Sequence, residues 1–210
     1  MVSAINEWYT FNAGTIDRKT CNKIKKHGSN WIDAKVNIKK EISKEERVLG
    51  CEPDWKENNL LRVSDVSWTT DQWIYDLVWP FMAEANEMAG WKYHIKAAQS
   101  SQITRYRKGG FYSFHTDGNG DHLSVVHSPG NEFIHGHVRK LSMSIILNDN
   151  FDGGAFEFAS YGKEECTITP IEAGAGSIII FPSSMEHRVA PVTKGTRYSL
   201  VTWFVGPPFV

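Results

Sequence analysis

Residues 141–147 read Leu-Ser-Met-Ser-Ile-Ile-Leu, and their alternation decides the fold. On an extended chain Leu141, Met143, Ile145 and Leu147 fall on one side, while Ser142, Ser144 and Ile146 fall on the other. One side is built to be core, and the smaller, more polar side suits the wall of a cavity. The stretches around it have the same character. AAQSSQITRYR, GFYSFHTD, GGAFEFAS, ECTITPIEA, GSIIIFP, EHRVAPV and TRYSLVTWFV are short alternating or apolar runs punctuated by Gly, Asp-Asn and Pro. With KLSMSIILND they make eight strand candidates, which fits an antiparallel jelly roll. Residues 118–139 interrupt the series with a Gly-, His- and Asp-rich loop. Loops of that length in a compact domain serve as lids or lack fixed structure.

Before residue 95 the chain reads as helical support. In IDRKTCNKIKKHG, Ile16, Cys21 and Ile24 share a helical face, and Gly28 ends it. TTDQWIYDLVWPFMAEANEMAG opens on a capping box of Thr69 and Gln72. It carries Trp73, Leu77, Phe81 and Ala85 at spacing four, with a kink expected at Pro80 and an end at Gly90. The charged text between Val36 and Leu61 suits a surface loop or short helix. The fold class read from the whole is mainly β with supporting N-terminal α-helices. It forms one domain over 1–210, with support in 1–95 and a jelly-roll core in 96–210.

Composition narrows the function. The chain has 210 residues, 23 basic and 24 acidic, a net charge of −1 and 41% hydrophobic content. That is enough apolar material for one core. The near-neutral charge argues against nucleic acid as a partner, because neutralising phosphates takes a basic face. No apolar run approaches a membrane span, and MVSAINEWYTF lacks the basic and apolar regions of an export signal, so the expected location is cytoplasmic. Cys21, Cys51 and Cys166 are odd in number and form no CxxC, which speaks against a disulfide framework and a thiolate zinc site. The eight histidines are what call for explanation.

His115-Thr116-Asp117 closes an aromatic strand, and residues i and i+2 of a strand share a face. His187 follows the strand GSIIIFP and its turn. Each alone has an ordinary reading as a turn residue. Together, two His and one carboxylate leave open positions on a metal, the arrangement suited to ferrous iron. Further along, Arg197 and Ser199 share a face of TRYSLVTWFV. A buried guanidinium needs an anion, and a carboxylate is one that it binds bidentately.

Taken in order, these motifs resemble the prolyl 4-hydroxylase-like branch of the iron(II)- and 2-oxoglutarate-dependent oxygenases, over about residues 95 to 207. The resemblance implies a double-stranded β-helix with iron held by His115, Asp117 and His187. It further implies 2-oxoglutarate held by Arg197, with help from Ser199 and Tyr106. It places Tyr112, Arg139 and Trp203 toward the substrate, and makes Gly153, Gly154 and Glu157 structural. Fe(II), 2-oxoglutarate, dioxygen and ascorbate are the small molecules that it implies. The implied reaction is hydroxylation of a C–H bond, of a prolyl residue in a protein or peptide, with release of succinate and CO2. A free amino acid or other small molecule is the alternative substrate, and a noncatalytic metal-binding jelly roll is the alternative class. Two departures stand out. Ile146 sits where some protein prolyl hydroxylases carry a tyrosine. The loop holds His122, His127, His135 and His137, of which His135 and His137 have ligand spacing of their own.

Overall fold

The computed structural model describes residues 5–34, 36–37, 60–117, 124–162 and 165–209. Two antiparallel sheets face one another across the middle of the molecule. The larger has nine strands. Side by side run β1 (Tyr9–Phe11), β13 (Ile178–Pro182), β9 (Val138–Ile146), β15 (Val192–Gly206), β7 (Ser101–Arg107), β5 (Asp65–Thr69) and β2 (Ile32–Asp33). Two short strands, β6 (Ala97–Ala98) and β10 (Phe151–Gly153), also pair with β15. The six-stranded sheet runs β12 (Cys166–Ile171), β11 (Phe156–Tyr161), β14 (His187–Val189), β8 (Phe111–His115), β4 (Leu60–Val63) and β3 (Val36–Asn37). Every one of the eight expected strands is present, and the architecture is the expected jelly roll.

The alternation of residues 141–147 does what its pattern requires. Leu141, Met143, Ile145 and Leu147 enter a core between the large sheet and the helices, joined there by Ile103, Ile178, Ile180, Leu200 and Phe204. Ile146 points the other way, into a cluster between the sheets with Tyr106, Phe156, Phe158, Phe181 and Val189. Ser144 lines the cavity beside that cluster. Burying one such aliphatic side chain is worth about 1.5–3 kcal/mol, so a one-residue slip of β9 would forfeit several at once.

The helices lie on the outer face of the large sheet. α1 (Arg18–His27) is capped by Asp17, whose carboxylate accepts from Thr20 N–H at 2.9 Å, and it buries Cys21 and Ile24. Gly28 follows it with φ of −58°; what demands glycine there is Trp31, whose ring would meet a Cβ at 2.5 Å. α2 (Gln72–Met88) runs through Pro80, which sits on its exposed side, and ends before Gly90 at φ +78°.

Three expectations are corrected here. The buried stripe of α2 is Ile74, Val78, Met82 and Ala85, with Trp73, Leu77 and Phe81 packed at its flank. A strict spacing of four drifts off a 3.6-residue turn, and the stripe that includes a step of three follows it better. Asp71, and not Thr69, is the N-cap; Thr69 Oγ1 instead accepts from Asp71 N–H at 3.2 Å. The first 95 residues are also more than helical support, since they supply β1 to β5. These strands are two to five residues long and pair with partners far along the chain, so none shows a period by itself.

The odd cysteine count also excluded less than it seemed to. Cys21 is free and buried, but Cys166 is disulfide-bonded. An odd number requires only that one thiol be left over. The charged stretch expected between Val36 and Leu61 lies outside the described residues from 38 to 59. Among the described residues no helix is long and apolar enough to cross a membrane.

Candidate active site

The small sheet assembles three side chains that the chain keeps far apart. β8 and β14 are antiparallel neighbours, and their register sets His187 directly opposite His115. Asp117 lies just past the end of β8, tied by its N–H to the Ser183 carbonyl at 3.0 Å. The result is a group whose ligand atoms all lie within 4.8 Å of one another. His115 Nε2 is 3.8 Å from one Asp117 oxygen, and His187 Nε2 is 3.7 Å from the other.

The backbone fixes how the imidazoles face. His115 Nδ1 is 2.8 Å from the carbonyl of Ser113, and His187 Nδ1 is 2.9 Å from that of Met185. A carbonyl only accepts, so each Nδ1 carries the hydrogen and each Nε2 presents a lone pair toward Asp117. Burial, together with neighbouring His187, holds the His115 pKa down at about 3, so its ring is neutral at physiological pH. Burial raises the Asp117 carboxyl, but His187 and His115, with Ser142 and Arg139, outweigh it and leave the group below its ordinary value. Two lone pairs and a carboxylate aimed at one point form an N/O donor set that fits a divalent cation such as ferrous iron. Phe156 and Phe181 pack against His187, and Tyr112 stacks on His115 at 3.5 Å between centroids, so the rings are clamped.

The opposite wall belongs to the large sheet. Arg197 on β15 is 1% exposed. Its Nη1 donates to Ser199 Oγ at 3.2 Å, whereas Nη2 is buried with no protein partner among the described residues. Tyr106, its cross-strand neighbour on β7, lies beneath it with the guanidinium 5.6 Å from the ring centroid. Burial lowers the Arg197 pKa, yet an arginine starts so high that the group stays a cation. Gly154, at φ +63°, gives Arg197 its room: a Cβ there would lie 3.0 Å from Arg197 Cδ and 2.9 Å from Val192 Cγ2.

Between the two walls is a small cavity lined by His115, Asp117, His187, Arg197, Ser199, Tyr106, Tyr112 and Trp203. Eight of the nine residues singled out in the sequence therefore meet at one place. Arg139 is the ninth. It does not line the cavity but lies on the Trp203 ring at 4.2 Å, with Nε donating to Gln99 Oε1 at 2.6 Å. The Trp203 indole N–H is buried without a partner among the described residues.

Arg62 and Gln102 also line the cavity and were not anticipated. Both belong to strands whose partners are distant, and the only clue was an Arg and a Ser flanking one residue in LRVS. The loop histidines go elsewhere: His135 Nδ1 accepts from Ser128 N–H at 3.1 Å and its ring packs on His127. His122 lies outside the described residues. Among the described residues, His115, Asp117 and His187 form the one group of ligand-bearing side chains close enough to hold a metal.

Comparison with known proteins agrees with this geometry. The family model of the 2OG-Fe(II) oxygenase superfamily matches residues 101–205, from β7 through most of β15. The chain belongs to that superfamily. Within this oxygenase family it is 36% identical over 108 residues to a PKHD-type hydroxylase of Xylella fastidiosa (strain M12), a match covering 49% of this chain and 42% of the relative. A PKHD-type hydroxylase of Janthinobacterium sp. (strain Marseille) is 33% identical over 102 residues, covering 48% of this chain and 41% of the relative. The matches thus span about two fifths of the curated relatives' length. In fold the chain resembles the viral collagen prolyl hydroxylase of Paramecium Bursaria Chlorella virus-1, solved as its 2OG complex. That likeness has a TM-score of 0.60 at 14% identity over 96% of this chain and 97% of the other. It also resembles a Pseudomonas putida prolyl-4-hydroxylase, with a TM-score of 0.58 at 17% identity over 94% of this chain and 91% of the other. At such identities the likeness is one of fold.

Proposed function

We propose that the chain is a single-unit Fe(II)- and 2-oxoglutarate-dependent dioxygenase that hydroxylates a C–H bond, with peptidyl proline as the lead substrate. The observation that carries this reading is the pairing across one cavity of the His115, Asp117 and His187 donor set with a buried, half-partnered Arg197. His115, Asp117 and His187 would hold ferrous iron. When bound there, iron with 2-oxoglutarate and dioxygen supplies the oxidant for an unactivated C–H bond, with succinate and CO2 as coproducts. Arg197 receives the distal carboxylate of 2-oxoglutarate through Nη2, while Ser199 steadies Nη1 and Tyr106 forms the floor. Phe156, Phe181 and Val189 line the same space and keep water from it. Tyr112 and Trp203 line the substrate side, with Arg139 behind Trp203. Proline is favoured because the relatives in fold are described as prolyl hydroxylases.

A free amino acid or similar small molecule is the second reading, and one observation favours it. Among the described residues, neither Arg139 nor the loop residues 124–137 line the cavity, so they build no long peptide groove onto it. A noncatalytic binding module remains the contrasting class. One assay separates enzyme from module. Purified protein given Fe(II), ascorbate and 2-oxoglutarate should release succinate, and His187→Ala should abolish the release. Undiminished turnover in that variant would overturn the assignment, and mass spectrometry of candidate peptides and amino acids for a shift of about 16 Da, one added oxygen atom, identifies the substrate.

A further inference from the structure

Arg62 stands on β4 directly across from Tyr112 on β8. Its guanidinium lies 4.6 Å above the Tyr112 ring, and that ring stacks in turn on His115. The column His115, Tyr112, Arg62 brings a cation one ring away from the metal-ligand cluster. Its Nε donates to Ser64 Oγ at 2.7 Å and its Nη2 to Gln102 Oε1 at 2.9 Å. On the Trp203 side Arg139 is arranged alike: its guanidinium is 4.2 Å from the indole centroid, with Nε on the amide oxygen of Gln99. Each guanidinium has five N–H donors, so both keep several unused by these neutral acceptors. Neither forms an ion pair with a carboxylate among the described residues.

Charge balance sharpens the point. Among the described residues, Asp117 is the one carboxylate lining the cavity. With the proposed cofactors in place, its charge and the two of 2-oxoglutarate are offset by ferrous iron and Arg197. Arg62, which lines the cavity, and Arg139, behind Trp203, then remain as positive charges in excess, and a charge left uncompensated in a partly buried place is costly. Neutral partners hold each guanidinium in place without consuming its charge.

We infer that the substrate carries a carboxylate, received by Arg62 with Arg139 as the second cation. This rests on the dioxygenase reading above and narrows its substrate class. The group is either the α-carboxylate of a free amino acid or derivative, or an Asp or Glu side chain beside the target residue of a peptide.

Isosteric acid and amide pairs test it: N-acetylproline against its carboxamide, and a short peptide with Asp next to proline against the same peptide with Asn. Binding to the full chain loaded with 2-oxoglutarate and redox-inert Ni(II) is measured by calorimetry, and succinate release is measured with Fe(II). The acid member of at least one pair should bind about tenfold or more tighter, as charge-assisted hydrogen bonds require. Arg62→Gln should erase the difference, and Arg62→Lys should keep part of it. Preference within the N-acetylproline pair assigns an α-carboxylate, and preference within the peptide pair assigns an acidic side chain. Equal binding within both pairs, a preference for the amides, or no binding by any member overturns the inference. Should Arg62→Gln fail to fold, the wild-type comparison decides alone. The dioxygenase reading fails separately, if 2-oxoglutarate neither binds the metal-loaded chain nor yields succinate.

Discussion

The arginines of the outer faces and those of the cavity are treated in opposite ways. Outside, Arg105 Nε and Arg107 Nη1 both reach Asp65 Oδ2 at 2.8 Å, Arg188 pairs with Glu157, and Arg18 meets Asp149 at 2.6 Å. At the cavity, Arg197 leans on Ser199 and Arg62 on Ser64 and Gln102, and behind Trp203 Arg139 leans on Gln99. The outer arginines are neutralised by the protein's own carboxylates. The inner ones are positioned by hydroxyls and amides, which hold a guanidinium without cancelling its charge. In the first region arginine is a structural residue. In the second it keeps its charge and spare donors, as the proposed receptor for anions arriving with cosubstrate and substrate would.

The strongest challenge to this contrast is to remove the carboxylate that lines the cavity or a histidine beside it. Asp117→Ala, or His187→Ala, should lower 2-oxoglutarate-dependent succinate release roughly a thousandfold or more and abolish stabilisation by Fe(II) in thermal melts. Persistent metal stabilisation in both variants would place the metal elsewhere.

Arg197→Met should raise the KM for 2-oxoglutarate on the order of a hundredfold while leaving the Fe(II) requirement nearly unchanged, since a bidentate charged contact is worth several kcal/mol. In the absence of 2-oxoglutarate the same variant should melt no lower than the wild type, because it deletes a buried charge that lacks a full set of partners. A large loss of Tm without ligand would show instead that Arg197 is a structural arginine like those outside.

Gly154→Ala tests the same wall more gently. Its Cβ would crowd Arg197 Cδ at 3.0 Å from a φ of +63°. The expected outcome is a stability loss of about 1–2 kcal/mol and a several-fold higher KM for 2-oxoglutarate, read by denaturant titration and steady-state kinetics. Smallest of all should be Asp65→Asn on the outer face. It breaks a pairing whose members are about one-fifth exposed or more, so it should cost about 1 kcal/mol or less and leave the 2-oxoglutarate KM unchanged.

How much of this could be read from the chain depends on how far apart the interacting residues lie. His115 and Asp117 were legible as a pair because two residues along a strand return to the same face. Arg197 and Ser199 were legible for the same reason, and each pair carries its geometry within three consecutive positions. Arg62 was hidden: its strand is four residues long, and its meaning comes from Tyr112 and Gln102, with which it is brought together only by sheet pairing. The bridge at Cys166 was missed because a count of thiols contains no distances.

By itself, then, the sequence determined the alternation at 141–147, the chain order of the jelly-roll strands, and the residue types offered as candidates: a His-x-Asp pair on one strand end and an Arg-x-Ser pair on another. Those features are local, set by a period of two and by side-chain chemistry. Only the tertiary structure decided that His187 stands opposite His115, that their Nδ1 atoms are tied to backbone carbonyls, and that Arg197 keeps one nitrogen without a partner. It also decided that Arg62 at the cavity and Arg139 behind Trp203 hydrogen-bond to hydroxyl and amide oxygens. Strand register and charge compensation are relations between distant segments, and they acquire values only when the sheets close.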